Sequence, residues 1–375
     1  MEKTLSTPAC ASNRQTSRNG HHSWTSWALG IIEGDTCRSA DTHLVKAKFA
    51  GLKGISVYFK DESTHPTGSL KHRLARSLFL YSICNGWIRE GTTIIEASSG
   101  STAVSEAYFA DLLKLPFVAV MSRSTSPEKI DAIVRLGGKC HFVDDGSTIY
   151  SVAENLARQC GGHYLDQFTN AERATDWRGN NNIAESIFNQ LAREEDPEPT
   201  WMVMNAGTGG TSATIGRYIR YRHSSARLCV VDAEYSAFYA SYCDGDLSAT
   251  CASPSRVEGI GRPRVEPSFM PSVIDRMIKV PDAASIAAMH VLSERLGRRV
   301  GGSTGTNFHG VCQLASEMIS NDQCGSIVSV ICDGGDRYTS TYYNPHWLAE
   351  AQIDIAPWAN RLNKFLDGGP LVDIA

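Results

Sequence analysis

No stretch of the 375 residues approaches the ~18 consecutive apolar positions that would cross a bilayer. No block of lysine or arginine is present to grip nucleic acid or an anionic membrane, and the formal net charge is only −4. The eleven cysteines form no C-x-x-C pair and keep no regular spacing. Neither a zinc site nor a disulfide framework is therefore expected; free thiols in a reducing, cytoplasmic setting fit better. His21 and His22 are adjacent, which suits no metal-ligand spacing on a helix. These absences point to a globular protein acting on a small molecule, with no metal, nucleic acid or membrane partner.

Acidic residues are also missing between Glu2 and Glu33, a Ser-rich stretch that carries Lys3, Arg14 and Arg18. Two readings stand for residues 1–23: a flexible tail, which the low arginine content favours, or a mitochondrial transit segment. No internal repeat is seen.

What is present is ordinary for a globular enzyme: 42% apolar and 20% charged residues. The length favours two domains or one large α/β unit. Strand-like runs occur at 56–60, 92–97, 117–121, 140–143, 201–205, 228–232 and 327–332. Most are continuously apolar rather than alternating, as in parallel strands buried on both faces. Helical patterns lie between them at 101–113, 128–136, 150–159, 182–193, 211–222 and 283–295. The rhythm predicts an α/β fold of open twisted, mostly parallel sheets flanked by helices. Residues 194–199 (EEDPEP) read as a loop, and the irregular stretch 243–271 as a mobile active-site loop.

In such sheets ligands bind beyond the carboxyl ends of the strands, and three turns rich in Gly and hydroxyls sit there. The first, 60–73 (KDESTHPTGSLKHR), places Lys71 in the first turn of a helix. The positive helix end and burial both disfavour an ammonium there, and a neutral lysine can form an imine or act as a base. Taken singly, Lys71 reads far more readily as a solvated surface lysine. The second, 96–102, brings Ser98, Ser99, Gly100 and Thr102 to a helix start near Ser101. Such a start holds an anion such as a carboxylate, or is simply capped by its own hydroxyls. The third runs Gly207-Thr208-Gly209-Gly210-Thr211. Its glycines let the backbone approach a phosphate closely and turn N–H groups towards it. A rival reading takes Gly207-x-Gly209-x-x-Ser212 as a dinucleotide fingerprint with Asp232 as its ribose acid. The last position of that fingerprint does not match, and Lys71 would have no role in it.

Together, in this order, the three turns resemble the β-family (fold type II) of pyridoxal-5′-phosphate (PLP) enzymes. The resemblance runs from about Trp24 to Trp347. It implies the tryptophan synthase β-like fold, with Lys71 as Schiff-base lysine and catalytic base. It makes 207–211 the phosphate cradle and 98–102, with Gln167, the binding site for the substrate carboxylate. The loop 257–261 (VEGIG) resembles the family's Gly-Ile-Gly loop near the cofactor. Two positions depart from the pattern. Ser101 stands where the family has an asparagine at the cofactor's phenolic oxygen, and Asp333 stands where a serine faces the pyridine nitrogen. A carboxylate there favours a protonated ring, a stronger electron sink.

Four strings, 60–73, 96–107, 166–186 and 332–344, resemble the cysteine-synthase-like L-cysteine desulfhydrases. The implied reaction is β-elimination of L-cysteine, through an aminoacrylate, to hydrogen sulfide, pyruvate and ammonia. β-Replacement, as in cysteine synthase or cystathionine β-synthase, shares every step up to the aminoacrylate. Serine or threonine dehydration is a further alternative, and a binding protein without turnover is another. The resemblance also implies a homodimer. It places a larger cofactor-phosphate domain at 24–80 and 178–375 and a smaller substrate-carboxylate domain at 81–177. Arg73, Trp177, Arg178, Thr304, Thr306 and Asn307 lie in motif-like strings without assigned roles.

Overall fold

The structure, a computed structural model, describes residues 12–38 and 41–370. The chain forms two compact units, residues 1–40 with 78–165 and residues 41–77 with 166–375. From the sequence the divisions were placed at 24, 81 and 178. One observed division falls inside the helix Lys71–Cys84, where no turn residue marks it.

Of the expected tail, residues 1–11 lie outside the described residues, so the transit reading does too for that part. Residues 12–23 lie in the helix Ser12–Arg38. That segment contains no proline, and Trp24, Ala28 and Ile32 form an i, i+4, i+8 stripe that is buried.

Ten strands are described: β1 (Leu44–Ala47), β2 (Ile55–Asp61), β3 (Ile94–Ala97), β4 (Phe117–Ser122), β5 (Lys139–Val143), β6 (His163–Tyr164), β7 (Trp201–Asn205), β8 (Arg227–Ala233), β9 (Arg276–Val280) and β10 (Gly325–Ile331). The larger unit holds a six-stranded sheet in the order β1-β2-β10-β7-β8-β9. Only β1 runs antiparallel to its neighbour. The smaller unit holds a parallel sheet, β5-β4-β3-β6.

The apolar runs have a direct cause in the larger unit. Trp201 and Val203 of β7 enter one hydrophobic cluster with residues of the helices Asp282–Leu296, Gly302–Ser320 and Ala356–Leu366. Met202 and Met204 enter another, with Ile183–Leu191 and Gly210–Tyr221. Successive side chains point to opposite faces, so a strand covered on both faces must be apolar throughout. The strands with no sequence signal, β1, β6 and β9, are all sheet edges. Each is short, partly exposed or interrupted by charge. The long helix Gly302–Ser320 escaped notice for the opposite reason: it is buried nearly all round, so no polar stripe marks its period.

The topology decides where the site turns meet. Strands β2, β10 and β7 are parallel neighbours, so their carboxyl ends share one edge. Lys71 follows β2, Asp333 follows β10 and Gly207 follows β7. The helix after β7 covers one face and the helix before β10 the other, the arrangement that opens a crevice in a parallel sheet. In the smaller unit, β3 runs into 98–102 around a core built on Ile95, Ala97 and Val120.

The stretch 243–271 is irregular, as its composition predicts, but it is not loose. Val257 and Ile260 pack with Ala233, and the buried Glu266 takes Arg262 Nη2 at 2.6 Å.

Candidate active site

Lys71 is the first residue of the helix Lys71–Cys84 and is half-buried. The turn before it is locked to the end of β10: Leu70 N donates to Cys332 O at 2.7 Å, and Ser69 bridges Asp333. Two residues on, Arg73 is buried and forks onto Glu62, Nε to Oε2 at 2.7 Å and Nη2 to Oε1 at 3.0 Å. It also reaches Asp41 Oδ1 at 2.8 Å and Asn181 O at 3.0 Å. Burial alone would raise the Glu62 carboxyl, but Arg73 and His65 outweigh it and hold it well below the usual range. Arg73 thus pins the helix start to β2 and to the loop before Ile183–Leu191. Lys60 is fully buried beside it and donates to Thr42 O and Gln190 Oε1, both at 2.7 Å. Burial brings its pKa down to about 8.

The glycine turn after β7 has the form of an anion cradle. Gly209 takes φ +92°, and a side chain there would also strike the Phe269 backbone at 2.6 Å. It is the N-cap of Gly210–Tyr221, and no side chain caps that start. Its first N–H groups point along the positive end of the helix, and of these Gly210 N is met by Thr208 Oγ1. A Cβ on Gly207 would stand 2.2 Å from Gly259 O and 3.9 Å from Lys71 Nζ. The cradle, the 257–261 loop and the lysine therefore converge. Thr208 is buried and its Oγ1 accepts from Gly210 N at 3.2 Å; Thr211 is half-buried. Gln167 opens the helix Gln167–Ala174 and is buried. That helix lies against the cradle, since a Cβ on Gly210 would meet Ala171 Cβ at 2.8 Å.

Asp333 is buried, and its two oxygens are treated differently. Oδ2 accepts from Tyr338 OH at 2.6 Å, whereas Oδ1 has no hydrogen-bond partner. Burial pushes this carboxyl up from its ordinary range, against the pull of Arg337 and Tyr338. Nearby, Ser69 Oγ is also buried without a partner. Behind Asp333, Asn307 Nδ2 donates to Val330 O at 3.1 Å and Asn205 Nδ2 to Asn307 Oδ1 at 2.9 Å. Cys332 N donates to Thr304 Oγ1 at 3.0 Å. These contacts tie the ends of β7 and β10 together and set the separation of Gly207 and Asp333.

In the smaller unit, Gly100 is the N-cap of Ser101–Leu112 and again no side chain caps the start. Ser98 Oγ accepts from Gly100 N at 3.3 Å, within the turn. Ser98, Ser99, Gly100 and Ser101 are half-buried and Thr102 is buried. Backbone donors and hydroxyls together suit a carboxylate.

Asp232, the acid of the dinucleotide reading, is spent internally. It is fully buried, with Oδ1 accepting from Ala233 N at 3.1 Å and Oδ2 from Tyr239 N at 2.9 Å. No ribose can take those places. Among the described residues no group of His, Cys, Asp and Glu could hold a metal ion, and no helix is long and apolar enough to cross a membrane.

Sequence reasoning missed Tyr338, Ser69 and Asn205. Tyr338 follows Asp333 by five residues in the string 332–344, and nothing local shows that its hydroxyl turns back. Trp177 stacks edge-on with Tyr221, and Arg178 lies over Trp177. Thr306 Oγ1 donates to Ser285 Oγ, a contact between helices.

A glycine cradle at a helix start, an amine beside it and a buried carboxylate oxygen without a partner fit a phosphorylated pyridine aldehyde. The comparisons with known proteins agree. Residues 39–333 match the family of pyridoxal-phosphate dependent enzymes. L-cysteine desulfhydrase Cds1 of Mycobacterium tuberculosis (strain ATCC 25177 / H37Ra) is 58% identical over 365 residues, 96% of this chain and 98% of that protein. A cysteine synthase of Dictyostelium discoideum is 26% identical over 346 residues, 88% of this chain and 89% of its own. The crystal structure of O-ureido-L-serine synthase superimposes with a TM-score of 0.72 at 25% identity, covering 82% of this chain and 96% of that one.

Proposed function

Because this chain belongs to the family of pyridoxal-phosphate dependent enzymes, we propose that it is an L-cysteine desulfhydrase, a carbon–sulfur lyase releasing hydrogen sulfide, pyruvate and ammonia from L-cysteine. The observation that carries the reading is the near full-length likeness to the mycobacterial desulfhydrase.

When bound, PLP supplies an aldehyde that takes up an amine and a ring that accepts an electron pair. Lys71 Nζ is the amine placed to hold it, 3.9 Å from the side-chain position of Gly207. As a free amine, Lys71 Nζ would serve as the base for the substrate's α-proton. Gly207, Thr208, Gly209, Gly210 and Thr211 hold the phosphate through N–H groups at the helix start. Asp333 would hold the ring nitrogen, and Ser101, where relatives have an asparagine, would serve the phenolic oxygen. Ser98, Ser99, Gly100, Thr102 and Gln167 would bind the substrate carboxylate.

The setting we propose is cytoplasmic, supported by free thiols throughout the described cysteines. The assembly we propose is a homodimer, on family resemblance; sedimentation would test it.

The test of function offers L-cysteine, L-serine and O-acetyl-L-serine plus sulfide separately. Sulfide and pyruvate from cysteine are expected, with Lys71→Ala abolishing both. Net cysteine formation from O-acetyl-L-serine would replace this reading by β-replacement, and pyruvate from serine alone by dehydration.

A further inference from the structure

The Asp333 carboxylate is satisfied on one side only. Tyr338 OH donates to Oδ2 at 2.6 Å, and Arg337 Nη1 stands 3.9 Å from the same oxygen. Oδ1 is buried with no hydrogen bond. It occupies the space left by Gly301, where a Cβ would lie 1.9 Å from it. Both Oδ2 partners come from the short turn Gly335–Tyr338.

That turn is rigidly backed. Tyr338 stacks on Tyr342, ring centres 5.0 Å apart at 21°. Tyr342 OH donates to Arg256 O at 2.7 Å and accepts from Glu258 N at 2.8 Å. Tyr338 cannot swing away from Asp333 without breaking this stack. Its own hydroxyl is pushed well above the ordinary tyrosine range, first by burial and then by the charges of Asp333 and Glu258. It stays protonated, so towards the carboxylate it acts as a donor.

We infer that Tyr338, seconded by Arg337, is a positioning residue that keeps Asp333 ionised with Oδ1 bare for the protonated ring nitrogen of PLP. The inference rests on the reading of Asp333 as the ring-nitrogen partner. Two arrangements compete, carboxylate with pyridinium and carboxylic acid with pyridine. They differ only in which side of the Oδ1–nitrogen contact holds one proton. A hydroxyl donating to Oδ2 stabilises the carboxylate and so favours the first. Without it the carboxylate becomes the better base, the proton returns to Oδ1, and the ring loses its positive charge. The other groups acting electrostatically with Asp333 are Glu258, Tyr342, Tyr343 and the Cys332 thiol. All remain in a Tyr338→Phe variant, so that substitution isolates the hydroxyl.

The test reads the ¹⁵N chemical shift of ring-labelled PLP in holoenzyme across pH 6–9. It compares the natural protein with Tyr338→Phe, Arg337→Gln and Asp333→Asn. The natural protein is expected at the pyridinium position and Asp333→Asn at the neutral one. Tyr338→Phe should move towards neutral on its low-pH plateau, as the shared proton passes to Oδ1, while the cofactor stays bound. Arg337→Gln should move the same way by less, because its guanidinium is 35% exposed and screened. If Tyr338→Phe cannot be loaded, Arg337→Gln decides. Natural-protein shifts in Tyr338→Phe and Arg337→Gln, beside a neutral ring in Asp333→Asn, would overturn the inference and leave the Asp333 reading standing. An unmoved shift in Asp333→Asn would remove both.

Discussion

Lys71 Nζ lies 3.9 Å from the point where a side chain on Gly207 would begin, though the two residues are far apart in sequence. The same point is 2.2 Å from Gly259 O, so three chain segments close on a position that only glycine can occupy.

Gly207→Ala is therefore expected to push the 257–261 loop or the lysine aside. Overpacking of this kind costs about 1–3 kcal/mol. Falling on the holo form, that is roughly a five- to 150-fold loss of PLP affinity, read by titrating cofactor into apoenzyme. An unchanged dissociation constant would show that this close approach is not part of cofactor binding.

Glu62→Gln keeps the shape of the Arg73 partner but removes its charge. Glu62 is fully buried and also accepts from Thr42 Oγ1 at 2.7 Å. Breaking a buried pair from one side costs about 3–5 kcal/mol. Denaturant unfolding should show a loss of that size, with cofactor affinity falling as the start of the Lys71 helix loosens.

Acid should weaken the fold through His72. The ring is buried, pairs with Thr67 Oγ1 through Nδ1 at 3.2 Å and stacks on His65. Burial first, then the neighbouring charges of His65 and Arg76, lower its pKa from 6.5 to about 3. The unfolded chain takes up this proton near pH 6.5, whereas the folded chain resists until about pH 3. Stability from this group is thus complete above pH 6.5 and drains away as pH falls towards 3. By pH 5 the deficit is about 2 kcal/mol. Urea unfolding at pH 7 and pH 5 should show His72→Gln losing less on acidification by roughly that amount; equal losses would rule His72 out as the source.

Asn307→Ala removes the side chain that links Asn205 to Val330 O. It is fully buried, so the cut leaves polar groups unpaired and costs about 1–3 kcal/mol for each group left behind. Calorimetry should show the drop in melting temperature. The cofactor spectrum should change as well, since the ends of β7 and β10 would no longer be held in register.

Legibility followed burial and locality. Strands covered on both faces, such as β7 and β10, announced themselves by continuous apolar runs, and 71, 98–102 and 207–211 stood out as turns beyond strand ends. Edge strands β1, β6 and β9 carried no such run, and the helix Gly302–Ser320, buried nearly all round, carried no stripe. Asp333 was legible only through resemblance. Tyr338 was not legible at all, because its role depends on a hydroxyl reaching back across a turn.

The residues alone set out the chemistry on offer: an amine at a helix start and a glycine turn able to receive a phosphate. These follow from local rules of backbone and side chain, which act over a few positions. The sheet order decided that they meet, by setting β2, β10 and β7 side by side and parallel. Which oxygen of Asp333 is held and which is left bare was likewise a tertiary matter. Such contacts join strands and turns distant along the chain, and no short-range pattern encodes them.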